Sequence, residues 1–388
     1  MTMIPRRFTI AIDDDAIAAL RSRLTRARIA EDHDNADWRY GVERGWLENM
    51  LGYWATAYDW RRNEAVMNRW PQFMVEIDGV PIHYLHIRGI GGAPTPIVLT
   101  HGWPWTFWDW RDVIGPLIDP ASHGGDPSDA FDVIVPSLPG FGFSAPLGRT
   151  GIGVRAIGGM WRTLMHQVLG YSAFVAAGGD WGALVSAELG HAHADVVSGV
   201  HLTLPMLPGI DMRGAAATDF AADEGWMTTR MTAVREDANS HLAVHRQDPQ
   251  TLAYALDDSP AGLAAWIWER RRNWSDCGGT IERAFDRDFL CTTASLYWFT
   301  RTIGSSMRLY ADHRRAGWKS LHDRERVIDV PTGFAVAPAE LAFLPRATAA
   351  RLTNLARWEV LPAGGHFLPV EQPRLLVDEY RTFARLLR

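Results

Sequence analysis

Three short stretches of the chain carry residues whose types and spacing could do chemistry. The first is Gly178-Gly179-Asp180-Trp181-Gly182. Small residues flank one reactive side chain, between an apolar run and a helical stretch. That is the pattern of a nucleophile elbow, with Asp where Ser is usual. The glycines permit the strained turn that lifts a nucleophile out of a sheet. A plain turn with Asp180 as a helix cap fits the same residues; the strand–turn–helix context favours the elbow. The chemistry of an Asp nucleophile is specific. A serine attacking an sp³ carbon would form an ether, which water does not cleave at neutral pH. An aspartate attacking the same carbon forms an alkyl ester, which water can open at the protein's own carbonyl. An Asp elbow therefore predicts displacement at carbon, either epoxide opening or carbon–halogen cleavage.

Hydrolysis of that ester needs a base, and such sites run in the order nucleophile, acid, histidine. His366 lies in Gly364-Gly365-His366-Phe367, directly after an apolar run. An unperturbed pKa near ~6.5 suits a general base there, although a surface loop histidine reads the same way. Glu340, in Ala337-Pro338-Ala339-Glu340-Leu341, is the first carboxylate after the preceding run. It would fix the imidazole tautomer and stabilise the imidazolium. A solvated loop glutamate is its bland alternative, and Asp211 is the fallback acid. The third stretch is His101-Gly102-Trp103-Pro104, also after an apolar run. Beyond a simple turn, it would supply one oxyanion amide, at Trp103, with Trp181 supplying the other.

These residues need a sheet edge to hold them. Pro96–Thr100, Phe131–Pro136, Ala173–Ala177 and Val197–Leu204 are nearly all apolar, as strands buried on both faces are, with helical stretches between them. The pattern is α/β, a mostly parallel doubly wound sheet. From residue 206 to 328 the chain reads as helices without a strand, then the strand rhythm resumes at Pro331–Val336 and Ala356–Leu361. An insertion that long exceeds an ordinary loop and is expected to cap the C-terminal edge of the sheet. Upstream, Asp13, Asp14 and Asp15 precede Ile17, Leu20 and Leu24, with arginines following, so a helix is expected there. A second apolar-periodic stretch spans Trp46 to Tyr58, and Asp78-Gly79 between alternating runs signals a hairpin. The expected organisation is 1–90 as an N-terminal extension with the first hairpin, 91–205 as core, 206–328 as helical cap and 329–388 as the rest of the core.

Composition narrows the function. The 388 residues are 47% hydrophobic and 22% charged, which is globular. A net charge of −6 argues against nucleic acid or a polyanion surface as partner. Two cysteines, Cys277 and Cys291, make no disulfide framework, and a cytoplasmic location is the simplest expectation. No apolar run approaches the ~20 residues of a membrane span. The 18 Trp against 9 Tyr suggest an apolar, aromatic-walled pocket, with Trp105, Phe107 and Trp108 expected to bind substrate.

His101–Pro104, the run Val133–Ser144 with its Pro139-Gly140-Phe141-Gly142-Phe143, Gly178–Gly182 and Gly364–Phe367 together resemble the microsomal-type epoxide hydrolases. The lead-in, with Tyr58-Asp59-Trp60-Arg61 and Phe73–Ile87, resembles the N-terminal region of that family. The resemblance spans essentially the whole chain. It implies an α/β-hydrolase fold with Asp180 as nucleophile, His366 as base and Glu340 as its acid. Two cap tyrosines of the family donate protons to the epoxide oxygen. Ser305-Ser306-Met307-Arg308-Leu309-Tyr310 matches the segment bearing one of them, which carries that role to Tyr310. The other falls 19 residues before Pro260, at His241; Tyr254 lies out of register. The expected consequence is a His/Tyr pair whose proton donation varies with pH near neutrality. The family's membrane anchor has no counterpart, so a soluble chain is expected.

The resemblance therefore predicts a small apolar epoxide and water as partners, with no cofactor and no metal. Assembly stays open, with a homodimer among the expectations. Three other readings compete. Haloalkane dehalogenases share the Asp elbow, but halide loss needs no proton donor. His191-Ala192-His193-Ala194-Asp195 looks like a metal motif, yet residues two apart on a helix do not share a face. A non-catalytic binder of apolar ligands is the third.

Overall fold

Runs that are apolar throughout bury both faces, and amphipathic stretches bury one. The computed structural model describes residues 3–210 and 215–388, so Asp211 lies outside the described residues. The strands are β1 (Arg6–Phe8), β2 (Gln72–Ile77), β3 (Val80–Ile87), β4 (Thr95–Thr100), β5 (Phe131–Pro136), β6 (Phe174–Gly178), β7 (Val197–Leu202), β8 (Ile328–Val336) and β9 (Thr353–Val360). They form one sheet in the order β1-β2-β3-β5-β4-β6-β7-β8-β9. β1, β2, β3 and β5 pair antiparallel; from β5 through β9 all pairs are parallel. Every residue of β5 and β6 is buried, and the one charged residue among them, Asp132, pairs with Arg88. At the hairpin, Asp78 and Gly79 take φ of 52° and 74°, the left-handed pair of a type I′ turn, and Ile77 pairs with Val80.

The structure adds one strand, β1, and moves the starts of β8 and β9, the latter from Ala356 to Thr353. β1 carries no alternating signal in its three residues and is held by pairing with β2. β8 begins at Ile328 rather than Pro331, because a register shift between those residues accommodates a proline that lacks an N–H.

The helices are α1 (Asp14–Thr25), α2 (Arg44–Thr56), α3 (Trp60–Met67), α4 (Arg111–Ile118), α5 (Val154–Arg162), α6 (Trp181–Ala192), α7 (Gly225–Ala233), α8 (Arg235–Asn239), α9 (Leu242–Gln247), α10 (Pro249–Asp258), α11 (Pro260–Trp274), α12 (Arg287–Thr300), α13 (Ile303–Ala316), α14 (Arg346–Leu352), α15 (Leu368–Glu371) and α16 (Pro373–Arg385). Their ends follow local chemistry. α1 has Asp14 and Asp15 in its first turn and Arg23 in its last, and it buries Ile17, Leu20 and Leu24. Ser259 caps α11 by accepting from the Gly262 amide, with Pro260 in the first turn. α16 buries Leu376, Val377, Tyr380, Phe383 and Ala384, a helical stripe against the sheet. Among the described residues, α7 to α13 and short 3₁₀ turns fill the stretch between β7 and β8. No described helix is long and apolar enough to cross a membrane.

Aromatic side chains with polar ends fasten the lead-in to this helical insertion. Trp54 Nε1 donates to Ser295 Oγ at 2.9 Å, Tyr58 Oη lies 2.9 Å from Thr292 Oγ1, and Tyr53 donates to Asp288 at 2.7 Å. The insertion is fastened to the core by Arg271 of α11, which is fully buried and bonds Asp109 at 2.5 and 3.0 Å and the Pro104 carbonyl at 3.1 Å. Its guanidinium lies 4.1 Å from the centre of the Phe367 ring.

Candidate active site

Asp180 sits between β6 and α6 with φ 52° and ψ −125°, a conformation that a non-glycine residue holds only when its surroundings impose it. The surroundings do so by close backbone approach. A Cβ on Gly182 would lie 1.9 Å from the Thr100 carbonyl oxygen, and one on Gly102 would lie 2.3 Å from the Asp180 side chain. Glycine at both positions is therefore a steric requirement of the turn.

The Trp103 amide donates to Asp180 Oδ1 at 2.7 Å. That leaves Oδ2, which lies 3.6 Å from His366 Nε2. The Trp181 amide starts α6, but no side-chain cap bond from Asp180 forms there. On the other side of the ring, His366 Nδ1 lies 2.8 Å from Glu340 Oε1, an oxygen that also accepts from the Leu341 amide at 2.7 Å. Glu340 and His366 are each 1% exposed. Burial alone would lower the pKa of His366. The charge and hydrogen bond of Glu340, with the charge of Asp180, outweigh burial and lift it to about 10. His366 is thus held charged at neutral pH, with Asp180 on one side of the ring and Glu340 on the other.

Tyr310 comes down from α13. Its ring stands edge-on to Trp181 at 4.7 Å, and its buried hydroxyl makes no hydrogen bond among the described residues. Burial first, then the charge of Asp180, push its pKa well above the usual range, so it stays protonated. His241 leads into α9, 4% exposed. It stacks on Trp103 at 5.2 Å and stands edge-on to Tyr310 at 5.3 Å. The expectation of donation that varies with pH near neutrality fails at this point. Burial, then the charges of His245 and Arg270, hold the His241 pKa well below 6.5, so the ring is neutral.

Some contributors carried no role in the sequence reading. His245 lies one turn after His241 on the same helix face and stands edge-on to Tyr310 at 4.9 Å. The i, i+4 spacing was the signal available for it. Its Nε2 accepts from Trp266 Nε1 at 3.2 Å, and burial lowers its pKa to about 3. An acceptor at Nε2 on a neutral ring places the proton on Nδ1. Trp274 accepts the His366 amide at 2.9 Å through its carbonyl, and Arg230 bonds the Ala339 carbonyl at 2.8 Å. These are tertiary contacts without local signal.

The three residues expected to bind substrate separate. Trp105 stands edge-on to His366 at 5.6 Å. Phe107 packs on His83 at 5.0 Å, with Trp108 beside it at 6.3 Å. A cavity of about 580 Å³ opens against Trp181 and Tyr310, with Leu242, Arg246, His313 and Arg314 in its walls, so its lining is more polar than the tryptophan count suggested. The His191 ring is spent on the Val327 carbonyl and the Leu321 amide, and Asp195 on Arg162. No group of three or more His, Cys, Asp or Glu among the described residues could hold a metal.

Comparison with known proteins identifies the family and the fold. The family described as "Epoxide hydrolase N terminus" matches residues 5–110, and "alpha/beta hydrolase fold" matches residues 95–373. The chain is 38% identical over 382 residues to a protein of Stigmatella aurantiaca, covering 98% of this chain and 85% of that one. It is 32% identical to Epoxide hydrolase 1 of Oryctolagus cuniculus, covering 98% and 89%. The crystal structure of juvenile hormone epoxide hydrolase from Bombyx mori is similar with a TM-score of 0.88 at 25% identity, covering 100% of this chain and 95% of that one. The solved structure of Aspergillus niger epoxide hydrolase is similar with a TM-score of 0.87 at 28% identity, covering 100% and 97%.

Proposed function

We propose, from the premise that the chain belongs to the epoxide hydrolase family and is a hydrolase acting on epoxides with the α/β-hydrolase fold, that turnover runs through an alkyl ester on Asp180. The observation that carries this reading is the line of hydrogen-bonding groups from the Trp103 amide through Asp180 and His366 to Glu340. Asp180 Oδ1 is engaged by an amide, so Oδ2 is the attacking oxygen. The epoxide oxygen sits at the Tyr310 hydroxyl, with neutral His241 and His245 beside it. As Oδ2 attacks one epoxide carbon, the carbon–oxygen bond breaks and the oxygen takes the Tyr310 proton. The ester has no negative charge on Asp180, so one of the two pulls that raised the His366 pKa disappears. The Tyr310 phenolate takes the proton that His366 then gives up, by way of solvent, and the neutral imidazole is free to act as base.

His366 then takes a proton from water, and the hydroxide adds to the Asp180 carbonyl. The oxyanion is held by the Trp103 amide, joined by the Trp181 amide at the start of α6; such a donor contributes roughly 3–4 kcal/mol in comparable sites. As the ester breaks, the leaving alkoxide takes the proton from His366. The new Asp180 carboxyl gives its own proton to His366, which restores the resting imidazolium beside a protonated Tyr310. The net reaction is epoxide plus water to vicinal diol. Tyr310 favours an epoxide over a halide substrate, since ring opening needs a proton and halide loss does not. Two buried, unpaired cysteines fit a reducing compartment such as the cytoplasm.

The test is intact-mass analysis of His366→Ala with a panel of apolar epoxides. An adduct on Asp180 that turns over slowly is expected, together with loss of turnover in Asp180→Asn. Wild-type rates in Asp180→Asn would sink the scheme.

A further inference from the structure

The loop that carries His366 does not stand alone at the sheet edge. It docks on the turn that ends α11 through three hydrogen bonds, and a fourth within the loop holds the side chain that makes one of them. The His366 amide donates to the Trp274 carbonyl at 2.9 Å, and the Gly364 amide donates to Asp276 Oδ2 at 3.0 Å. The other two converge on one side chain. Glu371, at the end of α15, accepts from the Phe367 amide at 2.8 Å with Oε1 and from the Asp276 amide at 2.6 Å with Oε2. Gly365 lies so close to this turn that a Cβ would meet the Asp276 nitrogen at 2.8 Å and the Trp274 oxygen at 3.0 Å. One carboxylate thus joins the histidine loop to the helical insertion, the part of the chain that carries Tyr310.

We propose that Glu371 is a positioning residue for the hydrolytic half of the reaction, holding the His366 loop against the insertion so that Nε2 addresses the water that attacks the ester. The proposal rests on the covalent reading above and deepens it. Its logic lies in what Glu371 leaves untouched. Ring opening uses Asp180, Tyr310 and the Trp103 amide, and Glu371 bonds none of these. Ester hydrolysis uses His366, whose amide and whose neighbours Gly364 and Phe367 are all tied into the dock. The charged groups around Glu371 are His366 on the loop, Glu340 after β8, and Arg230 and Asp276 on the insertion. Glu371 bonds two backbone amides and none of these side chains, and it does not enter the chemistry.

The decisive experiment separates the half-reactions. Glu371→Gln keeps the volume but replaces one acceptor with a donor, leaving one of the two amides without a partner. With styrene oxide as the probe, quench-flow and intact-mass analysis read ester formation and ester decay separately. Misplacing a catalytic group by an ångström costs up to about 100-fold, so ester decay should slow at least about tenfold while ester formation stays within about threefold of wild type. Alkylated Asp180 would then accumulate in the steady state. Unchanged decay, or equal slowing of both steps, overturns the proposal. Should Glu371→Gln fail to fold, Asp276→Ala on the exposed turn removes the Gly364 bond alone; it should slow decay about threefold without slowing formation, and a null effect on decay overturns the proposal equally. His366→Ala is run in parallel. An adduct there keeps the covalent reading whatever Glu371 does. Its absence while wild type forms diol removes that reading and the positioning role with it.

Discussion

At the scale of single residues, protonation states are fixed by burial and charge and not by residue type. Asp180 and Glu340 hold His366 charged in the resting site, and burial holds His241 and His245 neutral and Tyr310 protonated. The two ring-opening neighbours therefore change no charge near neutrality. The His241 pKa lies well below 6.5 and that of Tyr310 well above 10, so ester formation should vary less than about twofold from about pH 6 to 9 in pre-steady-state measurements. An inflection near pH 6.5 would show instead that His241 titrates as an exposed histidine does. The position of His241 was legible by counting back from Pro260, but its electrostatics were not. The rings of Trp103 and Trp274 that strip water from it come from distant parts of the chain.

At the scale of elements, the strongest local signals mark where backbone sterics leave no choice. The elbow glycines, the Asp78-Gly79 turn and the fully apolar strands were all legible, because each is a requirement on one or two residues or on a run. β1, the register shift in β8 and the dock around Glu371 were not, since each exists only through a partner far along the chain. The Arg271–Asp109 pair belongs to this second class. It joins α11 to the segment before α4, and both side chains are fully buried. Removing one partner leaves the other charge stranded, so Asp109→Ala should destabilise the fold by about 3–5 kcal/mol in urea unfolding. Replacing both by apolar residues of similar volume should recover most of that loss. A single variant as stable as wild type would show that water reaches the pair.

At the scale of the whole molecule, the lead-in, the insertion and the sheet hold one another. Tyr53, Trp54 and Tyr58 reach the insertion with polar ends, and Arg271 reaches the core from it. Such interiors also enclose histidines. Burial lowers the pKa of His83 and His201 to about 3 and that of His101 to about 4, and it lowers those of His241 and His245 as described. Each of these rings is neutral when folded and charged when unfolded below about pH 6.5, so each contributes stability above that pH which is lost as pH falls toward the folded value. Each removes ~1.4 kcal/mol per pH unit in that window. His366 shifts the other way and adds no slope there, because both its states are protonated below 6.5. Glu371, pushed up to about 7 chiefly by desolvation, offsets one ring. Melting temperature should therefore drop steeply from pH 7 to pH 5 and also decline from pH 7 to 8, where His366 is charged when folded and neutral when unfolded; a flat profile from pH 7 to pH 5 would refute it. Unfolding is thus a proton sink, and a mildly acidic surrounding draws the molecule toward the unfolded state by mass action.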